Sequence, residues 1–205
     1  PGTADRARVV VNPVAPSPEA IPPAPVRPGS AEILGLGRLN PQKGFDVLIR
    51  AFSLLDPALG AKLTLIGEGP ERSALEALAA GTGRGDRIRF AGETTEPLAA
   101  LVACDLFVLS SRFEGMPGVL IEAMACGRPV VATDLPSVRE LVEGLAVPLA
   151  PPDDAQALAA AIREALAAPQ DPAPLQARAR RFGVEAAGDD FEALVEAAVR
   201  RRAGG

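Results

Sequence analysis

"DLFVLSSRFEGMPGVLIEAMACGRPVVATD", residues 105–134, decides the fold. Two short, nearly continuous apolar runs, Leu106–Leu109 and Val130–Ala132, flank a Gly-Met-Pro-Gly loop and a helix-like apolar stretch. Runs without polar alternation belong to strands covered on both faces, and two such strands joined through a helix lie parallel. The same rhythm continues outward. "AEILGLG", "AKLTLIG" and "RIRFAG" read as strands, with "FDVLIRAFSLL", "ERSALEALAA", "EPLAALVA" and "SVRELV" as the helices between and after them. The expectation is an α/β fold, a Rossmann-like doubly wound parallel sheet starting at Ala31. From Asp153 the chain reads as helices only: "DDAQALAAAIREALAA", "PLQARARRF" and "GDDFEALVEAAVRRR", split by Pro169, Pro172, Pro174 and Gly183. Before Ala31, one apolar run, Val9–Val11, precedes a proline-rich connector that reads as a linker.

Composition narrows the function. The 205 residues carry a formal charge of -5 with both signs mixed, which leaves no basic field for nucleic acid. No apolar run approaches the roughly 20 residues of a membrane span, and no signal segment opens the chain, so a cytoplasmic location is expected. Cys104 and Cys126 lie in apolar segments and read as small packed hydrophobes, not as a disulfide. Histidine, the commonest base near neutral pH, is absent. A base would be a carboxylate or would come from another segment or chain. The chain begins at Pro1 without a methionine and reads as a fragment.

In a doubly wound sheet, ligands bind beyond the carboxyl ends of the strands. There the unusual residues fall. "GLGRLNPQKGF" places Arg38 and Lys43 after the first strand, and "SSRFEGMPG" places Glu114 after the fourth, with Glu122 early in the next helix. A glycine loop opening a helix invites an anion, because free N–H groups and the positive end of the helix dipole point outward. Arg38 and Lys43, both expected to be exposed, supply cations suited to a diphosphate. The carboxylates then suit uncharged partners such as sugar hydroxyls. On spacing alone, Arg38 and Lys43 read equally well as solvated loop charges.

Other matches lose force. In "GLGRLN" Asn40 replaces the third glycine of a dinucleotide fingerprint, and no acidic residue ends the next strand. Arg84-Gly85-Asp86 reads as a polar turn. Asp153-Asp154 and Asp189-Asp190 start helical patterns and read as caps, not metal ligands. No Cys/His cluster suits zinc.

Together, "GRLNPQKGFDVLIRAF", "LTLIGEGPERSALEALA", "RIRFAG", residues 105–134 and "RELVEG" closely resemble the nucleotide-sugar half of the family-4 retaining glycosyltransferases of GT-B fold. The likeness runs from about Val9 to Phe182, and Glu114 and Glu122, with seven residues between them, match that family's paired glutamates. The resemblance implies that Arg38 and Lys43 hold the donor diphosphate, that Glu122 accepts hydrogen bonds from the ribose and that Glu114 orients the donor sugar. It implies main-chain contacts from around Gly115, Met116 and Gly118 to sugar and phosphate, and reading of the base by the segment Arg89, Phe90, Ala91 and Gly92. It further implies transfer with retention, no metal, no cofactor besides the nucleotide-sugar substrate, and, from Met116-Pro117, a UDP-sugar.

Three positions depart from the pattern: Pro117 lacks an N–H, Gly118 stands where relatives often carry Asn, and Pro136-Ser137 replaces two glycines. By resemblance, residues 1–30 are the interdomain linker and start of the domain. Residues 31–182 form the Rossmann-like nucleotide-sugar-binding domain, and residues 183–205 a helix returning toward an amino-terminal acceptor domain. That missing half is the expected partner and the route of any peripheral membrane association, with a glycan or lipid-linked saccharide as acceptor. The full protein would be a hexosyltransferase and this chain alone inactive. A nucleotide-sugar epimerase and a non-catalytic nucleotide-sugar-binding module are the alternatives.

Overall fold

The computed structural model describes residues 31–168 and 170–182. The expected linker at 1–30 and the expected helix at 183–205 lie outside the described residues.

Six strands form one sheet in the order β3-β2-β1-β4-β5-β6. They are β1 (Glu32–Leu36), β2 (Lys62–Ile66), β3 (Ile88–Phe90), β4 (Leu106–Leu109), β5 (Val130–Thr133) and β6 (Leu149–Ala150). Every pairing is parallel, and β1 is shared: Ile33 sits opposite Leu63 of β2 on one side and Leu106 of β4 on the other. The order therefore reverses between β1 and β4, where adjacent strands send their helices to opposite faces and leave a crevice at their carboxyl ends.

Side-chain alternation along the strands builds two cores. Ile33, Leu63, Leu65, Val108 and Val131 pack with α1 (Phe45–Ser53), α2 (Arg72–Gly81) and α6 (Ala155–Ala167). Leu34, Ile66, Phe107, Leu109 and Val130 pack on the other face with α3 (Pro97–Ala103), α4 (Gly118–Ala125), α5 (Pro136–Val142) and α7 (Pro172–Arg180). The expected doubly wound α/β fold is present. Cys104 and Cys126 directly follow α3 and α4, both buried and neither in a disulfide, and burial pushes the Cys104 thiol up to about 12.

Two local readings need correction. The sequence pattern gave no sixth strand, because β6 has only two residues and follows Pro148. The second helix of the tail is separate from the first, as expected, but begins two residues before the expected Pro174, so that Pro172 and Pro174 both fall inside the first turn of α7. There a missing N–H costs nothing, since it would have no partner in the helix. Arg84-Gly85-Asp86 is part of the turn between α2 and β3, as expected, with a 3-10 turn over Gly85–Arg87.

The exits of β1, β2 and β3 are locked together through backbone. Gly37 donates to the Ile66 carbonyl at 2.9 Å and Gly67 donates to the Gly92 carbonyl at 2.8 Å. Gly67 has φ +140°, and a Cβ there would lie 1.9 Å from the Gly37 carbonyl oxygen. Gly67→Ala is expected to destabilise the domain by about 2 kcal/mol or more, from strain and steric overlap. Gly81→Ala, at the end of α2 with nothing within 4 Å, is expected to be neutral or stabilising by about 0.5–1 kcal/mol. Urea midpoints for the two variants check the contrast, and equal shifts would contradict it.

Candidate active site

The site is assembled where β1 and β4 end. After β1, Asn40 accepts the Lys43 N–H at 3.2 Å and caps a 3-10 turn over Pro41–Lys43. Gly44, at φ +61°, closes this turn and opens α1. The left-handed conformation favours glycine, and crowding then requires it: a Cβ on Gly44 would lie 2.1 Å from the Ser110 carbonyl oxygen. Ser110, just beyond β4, turns its hydroxyl to the Lys43 carbonyl at 2.8 Å. The two loops are thus stitched by backbone before any charge is counted.

Across this seam Lys43 Nζ donates to Glu114 Oε1 at 2.7 Å, and Ser111 Oγ donates to the same oxygen at 2.7 Å. The Glu114 main chain is held as well: its carbonyl accepts from Ser137 Oγ at 2.9 Å, while the Ser111 carbonyl accepts from Thr133 Oγ1 at 2.6 Å. Lys43 was expected to be exposed. Its side chain is only 20% exposed and that of Glu114 8%, because each is drawn against the other. Glu114 Oε2 has no partner among the described residues and remains an acceptor.

Arg38 is exposed, as expected. With Gly37, Gly67, Glu68, Glu93 and Thr94 it lines a cleft of about 610 Å³ between the ends of β1 and β2 and the start of α3. None of the expected base-reading residues, Arg89 to Gly92, lines this cleft, whose wall begins at the next residue, Glu93. The Ala91 N–H goes to the Leu65 carbonyl at 2.9 Å, and the Gly92 carbonyl is taken by Gly67. Arg89 is the middle residue of the three in β3; Ile88 and Phe90 pack with α1, α2 and α6, so the Arg89 side chain leaves by the opposite face. It lines a separate cleft of about 510 Å³ with Glu32, Lys62 and Arg87, away from Arg38.

Glu122, in the second turn of α4, is half-buried without a hydrogen-bond or ion-pair partner among the described residues. Burial pushes its carboxyl above the ordinary carboxylate range. At the start of α4, Gly118 spends its N–H on the Met116 carbonyl at 3.0 Å, and Pro117 has none to offer. The N–H groups of Gly115 and Met116 have no backbone acceptor among the described residues, and both residues are exposed.

A charged cluster beside the site was not legible in the sequence. Arg112 places Nη1 and Nη2 on the two oxygens of Asp46 at 3.0 and 2.9 Å, and Nε on Asp153 at 2.7 Å. Burial raises the Asp46 carboxyl, but the hydrogen bonds and charge of Arg112 outweigh it and hold the group below the ordinary range. Asp153, in a left-handed conformation at φ 62°, pairs with Arg112 instead of capping. Asp154 alone caps α6, accepting the Ala157 N–H at 2.8 Å. Asp189-Asp190 lies outside the described residues. Among the described residues no group of three or more His, Cys, Asp or Glu side chains is arranged to hold a metal ion.

Residues 30–168 match the family described as glycosyl transferases group 1. The chain belongs to that family. It is 41% identical over 101 residues to the lipopolysaccharide core biosynthesis glycosyltransferase LpsE of Rhizobium meliloti, which covers 49% of this chain and 29% of that protein. It is 37% identical over 162 residues to the glycogen synthase of Mycobacterium tuberculosis, covering 75% of this chain and 37% of the other. Among solved structures, HepE of Anabaena in complex with UDP and glucose superposes with a TM-score of 0.76 at 28% identity, over 82% of this chain and 49% of that one. The group 1 domain thus has the sheet of a GT-B glycosyltransferase half, and it spans half or less of the three proteins just compared.

The Lys43–Glu114 pair sets a test of the fold that needs no ligand. Lys43→Met strands a carboxylate only 8% exposed and is expected to cost about 1.5–3 kcal/mol, the range for a hydrogen bond to a charged group. Arg38→Ala, at an exposed position, is expected to change stability by less than about 0.5 kcal/mol. Thermal melts of both variants check this, and an unaffected Lys43→Met would show the pair to be energetically idle.

Proposed function

We propose that this domain binds the donor of a retaining family-4 glycosyltransferase, a nucleoside-diphosphate sugar used without a metal. The observation that carries the reading is the Lys43–Glu114 pair at the strand-order reversal, beside the cleft rimmed by Arg38. A bound diphosphate would take charge-assisted hydrogen bonds from Lys43 and the planar fork of Arg38. The remaining Glu114 oxygen would accept a donor-sugar hydroxyl, and the unpaired Glu122 carboxylate the ribose hydroxyls. The cleft at Gly37, Gly67 and Thr94 would receive the base, which the UDP complex of HepE supports as uracil.

As the bond from the sugar C1 to the distal phosphate oxygen breaks, negative charge grows on the diphosphate. Lys43, Arg38 and the N–H groups of Gly115 and Met116 would stabilise that charge, which is what lowers the barrier. Glu114 is already engaged by Lys43 and Ser111, which suits orientation better than nucleophilic attack. Retention then follows if the acceptor oxygen approaches the face the leaving group departs from, giving its proton to the departing phosphate oxygen. The acceptor, a glycan or lipid-linked saccharide, would be held by a second domain of the full hexosyltransferase, and the isolated chain would transfer nothing. None of the described helices is long and apolar enough to cross a membrane, so membrane contact would come through that second domain.

Calorimetric titration with UDP and a UDP-sugar tests the reading. Glu122→Gln is expected to weaken both ligands, since it replaces one ribose acceptor with a donor, while Glu114→Gln weakens the UDP-sugar and largely spares UDP. A hydroxyl needs the ionised Glu122, whose carboxyl is raised by burial. Protonation therefore competes with binding, and wild-type affinity for the UDP-sugar is expected to fall on acidification at a pH above the ordinary carboxylate range, with Glu122→Gln losing that dependence. Chelator is expected to change nothing. Equal losses for both variants against both ligands, or binding restored only by magnesium, would contradict the proposal.

A further inference from the structure

The Arg112 cluster lies outside the ligand contacts proposed above yet joins the loop that carries Lys43 to the loop that carries Glu114. Its guanidinium joins three strand exits: Pro41 from the β1–α1 connection with Asp46 in the first turn of α1, Asp153 from the β6–α6 connection, and its own β4–α4 loop. Pro41 and Asp46 flank Lys43 in sequence, so the Nη1 bond to the Pro41 carbonyl at 2.6 Å and the bidentate bond to Asp46 grip the turn on both sides of Lys43. Main chain closes the same seam. Arg112 N–H donates to the Gln42 carbonyl at 2.7 Å, and Gln42 Nε2 donates to the Phe113 carbonyl at 3.1 Å.

We propose that Arg112, through Asp46 and Asp153, is a positioning residue that fixes Lys43 against Glu114 for the donor diphosphate. This rests on the donor-binding reading. Lys43 is a flexible four-carbon stem whose geometry depends on where its Cα is held, and a fork bonded on both sides of that Cα restricts it. Lysine at 112 cannot reproduce the arrangement, because a single ammonium cannot present a planar fork to Asp46 while also reaching Asp153 and the Pro41 carbonyl. The Arg112 side chain is 28% exposed, that of Asp46 33% and that of Asp153 60%, so neither a dry core nor a metal-like cluster explains the convergence.

The test is a double-mutant cycle read as UDP affinity per folded molecule. Arg112→Ala is expected to weaken UDP about tenfold, as displacement of a binding group does, and to cost almost nothing further on a Lys43→Ala background. Arg112→Lys should recover little. Equal losses on both backgrounds, or an unchanged affinity, would overturn the role. Should Arg112→Ala not fold, Asp46→Asn removes the bidentate charge while keeping shape and is expected to give the same coupling. If wild type itself binds no UDP, the donor-binding reading fails, and amide hydrogen exchange in the free protein then judges the clamp. Residues 42–46 are expected to exchange faster in the variant while β5 is unchanged. Unaltered exchange at residues 42–46 would refute the clamp independently of any ligand.

Discussion

Everything in the candidate site depends on how closely the loops leaving β1 and β4 approach. Gly44 lies where a Cβ would meet the Ser110 carbonyl oxygen at 2.1 Å, a separation only a residue without a side chain tolerates. That approach is possible because the sheet reverses its strand order between β1 and β4, so these two strands are neighbours whose connections diverge. Widen it, and Lys43 no longer reaches Glu114. The Ser110 hydroxyl, the Lys43–Glu114 pair and the Arg112 fork are successive fastenings of one seam, each drawing on backbone or charge already brought near.

The pairing also explains how carboxylates can stand beside the proposed anion site. Glu114 meets a cation and a hydroxyl on one oxygen, so its charge is answered from within the protein before a phosphate arrives. Glu122 has no such answer, and its raised carboxyl reflects burial without compensation. Two glutamates that look like a repeated motif are therefore electrostatically unlike. One is a fixed, ion-paired carboxylate, and the other a half-buried carboxylate whose uncompensated burial a ligand's hydroxyls would relieve.

Strands β4 and β5 were legible as unbroken buried apolar runs, β1 and β2 as largely buried ones behind a charged first residue, and β3 only as a short alternating run, whereas β6 is too short to leave a pattern. The loop positions of Arg38, Lys43 and Glu114 could be read from chain order, since a doubly wound sheet puts all strand exits at one edge. Side-chain direction was less accessible. Arg89 leaves by the face opposite its neighbours because β3 alternates, and Lys43 is drawn inward by a partner 71 positions away. Arg112 and Asp46, 66 positions apart, carried no signal at all: each is an ordinary polar residue beside a loop until the seam brings them together.

The central claim is that Lys43, held by Glu114 at the strand-order reversal, anchors the donor's diphosphate. A crystal structure of the domain grown with UDP tests it most directly. The account predicts the distal phosphate within hydrogen-bonding distance of Lys43 Nζ and the Arg38 guanidinium, with the ribose hydroxyls on Glu122 and the base over the cleft at Gly67. A nucleotide seated in the other cleft, against Arg89 and Lys62, with the Lys43–Glu114 pair untouched, would contradict it.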